Sequence, residues 1–132
     1  MQTVDQKTLG NFRDRFYSFY DGVIRNIEIV YAHGKRRVAI LVATRVANAQ
    51  VDGGWVCVRF VVNEARDFCF ADTYRTSAEV LSNGIHVCWF GELLGVDFGH
   101  YDQPPNSLAE LRSSKCFATG SSLEWAVQPY RE

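Results

Sequence analysis

The feature that most constrains this chain is a change in the spacing of its apolar residues at Asp21-Gly22. Before this pair, residues 8–20 place large apolar side chains three and four positions apart, which is typical of an amphipathic helix. The stripe consists of Leu9, Phe12, Phe16, Phe19 and Tyr20. After the pair, apolar and polar residues alternate from Val23 to Tyr31, as they do in a half-buried strand. The chain is therefore expected to pass from a helix into a sheet at this point.

We interpret Asp21-Gly22 as the joint between that helix and that strand. Gly22 is expected to adopt the left-handed conformation that is common just after a helix. Asp21 is expected to hydrogen-bond nearby backbone in the turn. A reactive carboxylate at Asp21 is the alternative interpretation.

Short strands are expected over most of the remaining chain. The polar turn at residues 33–36 leads into RVAILVATRV, which predicts a hairpin with the preceding strand. A loop with Asp52-Gly53-Gly54 precedes WVCVRFVV, and NEARD separates that strand from DFCFADTY. Asn83-Gly84 between EVLS and IHVCWF predicts another hairpin. One helical turn capped by Thr76 and Glu79 is the alternative there.

The last third of the chain alternates between strand and loop patterns. ELLGVDFG is expected to be an edge strand, and Pro104-Pro105 places a loop after it. Ser107 with Glu110 predicts the capped start of a short helix, and KCFATG and SLEWAVQPY predict final strands. The predicted class is α+β. An N-terminal helix packs on a mainly antiparallel meander sheet of six to eight strands, and a short helix lies near the C-terminus.

Length and charge limit the classes of function. The 132 residues predict a single domain over residues 1–132, and 47% apolar with 22% charged residues is an ordinary globular composition. A net charge of −1 gives no electrostatic footprint for nucleic acid or anionic lipid. No apolar run is long enough to span a bilayer, and the first residues lack the order of a signal peptide. We expect a cytoplasmic protein.

The four cysteines are spread along the chain without a CxxC pair, so reduced thiols are expected. By strand parity, Cys57, Cys69 and Cys88, together with His86, point away from the main apolar set. Such a set could in principle bind zinc, but single residues on separate strands are not the usual source of zinc ligands. Packing thiols without a metal or another cofactor are the preferred interpretation.

Motifs of catalysis are missing from the sequence. It contains no G-x-S-x-G, no HExxH, no P-loop and no G-x-G-x-x-G. Cys88 and His86 lie two positions apart on one predicted strand, a spacing that is weakly specific for a nucleophile and its base. We therefore do not expect an enzyme.

The loop after ELLGVDFG is the best candidate for partner recognition. His100, Tyr101 and Asp102 stand beside two prolines, and aromatic side chains on a stiffened loop offer contact area at low entropic cost. Arg59 and His86 are added as candidate partner-binding residues, because both point away from the predicted core.

Three segments carry a resemblance to known proteins: FYSFYDGVIRNIEIVY, LSNGIHVCWFGELLGVDFG and CFATGSSLEWAVQPY. Their layout resembles that of small single-domain bacterial immunity proteins found beside polymorphic toxins, and of related uncharacterised α+β families. The resemblance implies a non-catalytic protein that neutralises a cognate toxin by stoichiometric binding, and it assigns a role to no single residue.

Two other functions remain open at this point. One is a small-molecule-binding protein or small enzyme with a pocket between sheet and helix, lined by His86, Arg59 and a carboxylate. The other is a homo-oligomer, such as a homodimer, that buries a second sheet face with Trp55 and Phe90.

Overall fold

The structure, a computed structural model, describes residues 1–47, 54–72, 77 and 79–130. Within these residues the chain forms two α-helices, one 3-10 turn and ten strands. The helices are α1 (Leu9–Arg15) and α2 (Leu108–Arg112), and the 3-10 turn is Tyr17–Phe19. The first strands are β1 (Gln2–Val4), β2 (Gly22–Ala32), β3 (Lys35–Arg45), β4 (Trp55–Asn63) and β5 (Phe68–Phe70). The others are β6 (Val80–Leu81), β7 (Ile85–Phe90), β8 (Leu93–Phe98), β9 (Cys116–Gly120) and β10 (Ser122–Pro129).

The strands form two antiparallel sheets, which confirms the predicted α+β class. The larger sheet has the order β1-β10-β4-β3-β2-β6, and the smaller has the order β5-β9-β8-β7. The helix before the sheets and the short helix after β8 are both present. The sequence predicts one meander sheet of six to eight strands, whereas the strands of the structure are divided between two sheets. No described helix is long and apolar enough to cross a membrane.

Both sheets and α1 contribute side chains to one apolar core. The valines and isoleucine of β3 and β4 face Ile85, Val87, Leu94 and Val96 of the smaller sheet. Phe12 of α1 packs within 6 Å, ring centre to ring centre, of Phe60 and Trp125. The predicted helical stripe is therefore core at Phe12, as an amphipathic helix requires.

The β2-β3 hairpin confirms the prediction and adds a bulge. His33 and Gly34 form its turn with φ angles of 53° and 75°, as the favoured two-residue hairpin turns require. The register shifts between Ile24 and Asn26, so strict alternation does not hold across Arg25. Strict alternation from Val23 to Tyr31 would place Ile24 and Ile27 on different faces of the strand. The bulge instead puts both isoleucines on the face of Val42 and Ile40.

Two predictions about which strands pair in the middle of the chain are wrong. Val80–Leu81 pairs with β2 and Ile85–Phe90 pairs with β8, so the turn at Asn83-Gly84 joins the two sheets and forms no hairpin. ELLGVDFG supplies β8, which lies between β9 and β7 and is not an edge strand. The alternative cap at Thr76 and the loop at residues 52–53 lie outside the described residues.

Candidate functional site

The predicted recognition loop follows β8 and ends at α2. Gly99 opens it with a φ of 86°, and Pro105 is buried. Ser107 accepts a hydrogen bond from the Glu110 N–H at 3.0 Å and so caps α2, as predicted. His100 and Asp102 are exposed, which makes them accessible to a partner, and their assignment as contact residues stays a prediction.

Tyr101 is held by the protein on three sides. Its N–H donates to Asp97 Oδ2 at 2.9 Å, and its hydroxyl donates to the Glu110 carbonyl at 2.6 Å. Its own carbonyl lies 3.1 Å from His86 Nε2. The half-buried Tyr101 therefore fastens the loop to the outer face of the smaller sheet, with the His100 ring packed edge-on against it.

Asp97 is the centre of this hydrogen-bond network. Its side chain is fully buried, and its Oδ1 accepts a 2.6 Å hydrogen bond from the Ser114 hydroxyl. Ser114 in turn accepts from the Cys116 N–H at 3.0 Å. One carboxylate thus connects β8, the recognition loop and the entry to β9. We call Asp97, Tyr101, His86 and Ser114 the loop clamp.

His86 belongs to the clamp and is shielded from solvent. It lies directly across from Asp97 in the β7-β8 pair and is 3% exposed. A carbonyl accepts from its Nε2, so the proton is on that nitrogen, and Nδ1 is buried without a partner among the described residues. Burial, and then the Arg13 guanidinium, lower the pKa of His86 below its ordinary value of 6.5, although Asp97 opposes them. A neutral imidazole beneath the loop anchors it and is not in reach of a partner.

Two buried or half-buried thiols, Cys88 and Cys116, have raised pKa values. Burial raises the pKa of Cys88, whose Sγ lies 3.8 Å from the Pro105 carbonyl. Burial also raises the pKa of Cys116 to about 12. Both groups are therefore thiols at neutral pH, whereas attack requires the thiolate. Among the described residues no group of three or more His, Cys, Asp or Glu side chains could hold a metal ion.

The parity prediction for the cysteines is correct for single strands but not for the set. Cys57 and Arg59 are on the outer face of the larger sheet, because they oppose Ala43 and Leu41 while Val58 and Phe60 face the core. Cys88 and His86 are on the outer face of the smaller sheet. Arg59 is in the larger sheet and His86 is in the smaller one, so Arg59 is separated from the loop clamp.

A second site, which the sequence pattern did not reveal, is the turn between α1 and β2. The helix ends at Arg15, and Tyr17, Ser18 and Phe19 then have φ angles of 52°, 56° and 62°. Three consecutive residues with side chains in the left-handed region are rare, because each Cβ crowds the following carbonyl. Such strain persists only where the surrounding structure enforces it.

The structure of this turn contradicts the prediction that Gly22 is the left-handed residue at the Asp21-Gly22 joint. Asp21 has a φ of 59° and carries the left-handed conformation that was expected of Gly22. Position 22 favours a small residue for another reason, since a Cβ there would lie 3.1 Å from the Phe19 carbonyl oxygen and from Val42, a tight contact on both sides. The Asp21 N–H donates to the Leu81 carbonyl at 2.9 Å, which ties the turn to β6.

The left-handed turn places two of its aromatic side chains in the core and two on the surface. Phe16 and Phe19 are fully buried, whereas Tyr17 is 54% exposed and Tyr20 is 51% exposed. Tyr20 was expected in the buried stripe, and this is wrong because the helix does not continue to it. No helical period could reveal this, since the helix ends five residues before Tyr20.

Tyr17 and Tyr20 stand beside the start of β4. They line an open cavity of about 300 Å³, with Asp21, Arg45 and Trp55 as its other walls. The Arg45 guanidinium lies 5.7 Å from the centre of the Trp55 ring, and the Tyr130 ring lies 6.2 Å from the same ring. We call this group the aromatic surface, and its members are Tyr17, Tyr20, Arg45, Trp55 and Tyr130.

Comparisons with protein-family models, with curated proteins and with solved structures give no match to this chain.

Proposed function

We propose that this chain is a non-catalytic protein-binding module whose contact surface is the aromatic surface. The observation that carries the proposal is the left-handed turn at Tyr17–Phe19, which presents two tyrosines beside Trp55. Backbone strain of this kind clusters at functional sites, because a simpler turn would be more stable if the exposed side chains had no role.

The composition of the aromatic surface supports a protein partner. Tyrosine, tryptophan and arginine are the residues that most often dominate the energy of protein–protein interfaces. Trp55 is half-buried and holds the Arg45 guanidinium over its ring, so both are partly fixed before any partner arrives. Preformed side chains lose less conformational entropy on binding, which favours affinity.

The specific form of the proposal is an immunity protein that binds a bacterial toxin in the cytoplasm. It rests on the resemblance of the three sequence segments. A net charge of −1 fits a contact that relies on aromatic packing more than on long-range attraction. The toxin would be bound one to one, and no chemical step is needed.

The test uses the purified product of a toxin-like gene adjacent to the gene for this protein. Binding to the wild type is measured by calorimetry and compared with binding to Tyr17→Ala, Tyr20→Ala and Trp55→Ala. We expect each variant to weaken the complex by about 10- to 100-fold, as truncation of interface anchors does. The substitutions change exposed or half-exposed side chains, so circular dichroism should show an unchanged fold.

His100→Ala is the matched control, because it removes an exposed ring from the recognition loop and leaves the aromatic surface intact. We expect it to bind like the wild type. If His100→Ala weakens the complex and the three aromatic variants do not, the contact surface is the predicted loop and our assignment is wrong. If the toxin-like protein does not bind at all, the immunity role is wrong.

A further inference from the structure

The second half of β2 is an open sheet edge. On one side β2 pairs with β3 along almost its whole length. On the other side it pairs with β6 only at Gly22 and Val23, and the Ile24 N–H donates to the Glu79 carbonyl. From Asn26 to Ala32, no strand in the described part of the chain pairs with this side.

Open edges are usually short or protected, but this one is long, and in the described part of the chain Phe70, Asp72, Ser77 and Glu79 share a cavity with it only as far as Ile27. The edge strands β1, β5 and β6 have three, three and two residues. The longer edge strand β7 has only buried or half-buried residues. The open part of β2 instead exposes Ile27 to 38% and Tyr31 to 72%, and Glu28 is its one charged side chain.

The bulge at Arg25 gives this edge one apolar face. Ile27 and Ile29 oppose Ile40 and Val38 of β3, and Tyr31 follows on the same side. Asn26, Glu28 and Val30 lie on the opposite, outer face. A strand that pairs with this edge must therefore present apolar side chains two residues apart on the inner side.

We propose that the occupant of this edge is the same edge of a second copy of the chain, paired antiparallel about a two-fold axis at Ile29. In this register Ile27 lies opposite Tyr31 of the second copy, and the two Ile29 side chains meet at the axis. The pairing joins two six-stranded sheets into one continuous sheet.

The other registers are worse for stated reasons. An axis at Glu28 places two carboxylates directly opposite each other, which is destabilising. An axis at Val30 sets Ile27 opposite His33, which is in the turn and not in the strand. An axis at Ile27 brings the second copy onto Val23, where β6 already pairs. A shift by one residue sets inner against outer faces.

This dimer uses a surface distinct from the aromatic surface. Tyr20 and Asp21 immediately precede β2, whereas Ile27 to Tyr31 form its second half. The dimer and the proposed toxin complex can therefore be tested independently, and the failure of one leaves the other intact.

The experiment is sedimentation equilibrium of the full chain from micromolar to millimolar concentration. We expect the wild type to approach twice the chain mass. Ile27→Glu and Tyr31→Lys should each weaken dimerisation by about tenfold or more, because each sets a charge against an apolar side chain of the second copy.

The double variant Ile27→Glu with Tyr31→Lys is the test of register. Within one chain these two residues lie four positions apart on a strand, too far apart to pair. Across the proposed interface each glutamate lies opposite a lysine, so dimerisation should recover. An equimolar mixture of the two single variants should likewise form a heterodimer with one such pair.

Val127→Glu is the matched control for Ile27→Glu, because Val127 is a strand residue with the nearly identical exposure of 39%. It should dimerise like the wild type. A wild type that stays monomeric at millimolar concentration overturns the proposal. So does a dimer that Val127→Glu weakens as much as Ile27→Glu, or a double variant that shows no recovery. Thermal unfolding of each variant confirms that it is folded.

Discussion

The left-handed turn and the loop clamp are two irregular segments that the protein fixes in opposite ways. The clamp is held by hydrogen bonds: Asp97 accepts from Tyr101 and Ser114 and is fully buried. The turn at Tyr17–Phe19 is held mainly by apolar burial of Phe16 and Phe19, and its backbone is strained. A segment fixed by hydrogen bonds needs no strain, whereas the strained backbone of the turn is tolerated because Phe16 and Phe19 are buried in the core.

The largest effect should come from removing the centre of the clamp. Asp97→Ala leaves the Tyr101 N–H without its acceptor and the Ser114 hydroxyl with only the Cys116 carbonyl, and we expect a loss of about 3 kcal/mol in the free energy of unfolding. Urea denaturation measures this change. Asp102→Ala removes an exposed carboxylate from the same loop and should change the free energy by less than about 0.5 kcal/mol. Equal effects would show that Asp97 is not the anchor.

The next effect should come from Gly84, where the two sheets are joined. A Cβ at Gly84 would lie 2.2 Å from the Ser18 carbonyl oxygen, and Gly84 has a φ of 69°. We expect Gly84→Ala to cost about 2–3 kcal/mol, because clash and conformation act together. Gly34→Ala has a similar φ of 75° with no atom within 4 Å and should cost about 1 kcal/mol. Thermal unfolding measures both changes. An equal loss of stability in the two variants would show that the contact with the left-handed turn does not contribute.

A smaller effect of opposite sign is expected at Ser18. Its φ of 56° is strained for serine and unstrained for glycine, so Ser18→Gly should raise the free energy of unfolding by about 0.5–1 kcal/mol. Denaturant unfolding gives the change, and Asp21→Asn, which tolerates the left-handed region, should change little. A destabilised Ser18→Gly protein would contradict the strain on which the proposed contact surface depends.

The smallest effect concerns pH and the clamp. The pKa of His86 is lowered in the folded protein, so the unfolded chain binds a proton first as the pH falls. The contribution of neutral His86 is fully present above its ordinary pKa of 6.5 and is lost as the pH decreases below that value. We expect His86→Gln to flatten the decline in stability between neutral and mildly acidic pH. The two pH profiles of unfolding should diverge below 6.5, and parallel profiles would show that another group is responsible.

Much of the local structure could be predicted from short segments. The β2-β3 hairpin needs only two apolar-rich runs and a turn that accepts positive φ, and both are visible in the sequence. The Ser107 cap depends on a residue three positions away. The outward direction of Cys88 and His86 follows from parity within one strand. In each case the deciding interaction lies within a few residues along the chain.

The site was predictable only in part. The sequence predicted partner recognition by the loop with His100, Tyr101 and Asp102, which stays a prediction. It did not reveal that Tyr101 is anchored by Asp97 or that His86 lies beneath it. Arg59 was grouped with these residues by parity, and parity cannot tell one sheet from another. The aromatic surface was missed because Tyr17, Trp55 and Tyr130 come from three distant segments.

The sequence by itself determined the class, the positions of both helices and of most strands, and which side chains are apolar on each strand; it did not reveal β1, which precedes α1. The tertiary structure alone decided that the strands divide into two sheets at Asn83-Gly84, and that the residues before Asp21 take left-handed conformations. The physical reason is that both outcomes depend on distant contacts. β6 pairs with β2, and β7 pairs with β8. The burial of Phe19 against Phe60 compensates backbone strain that no local pattern would favour.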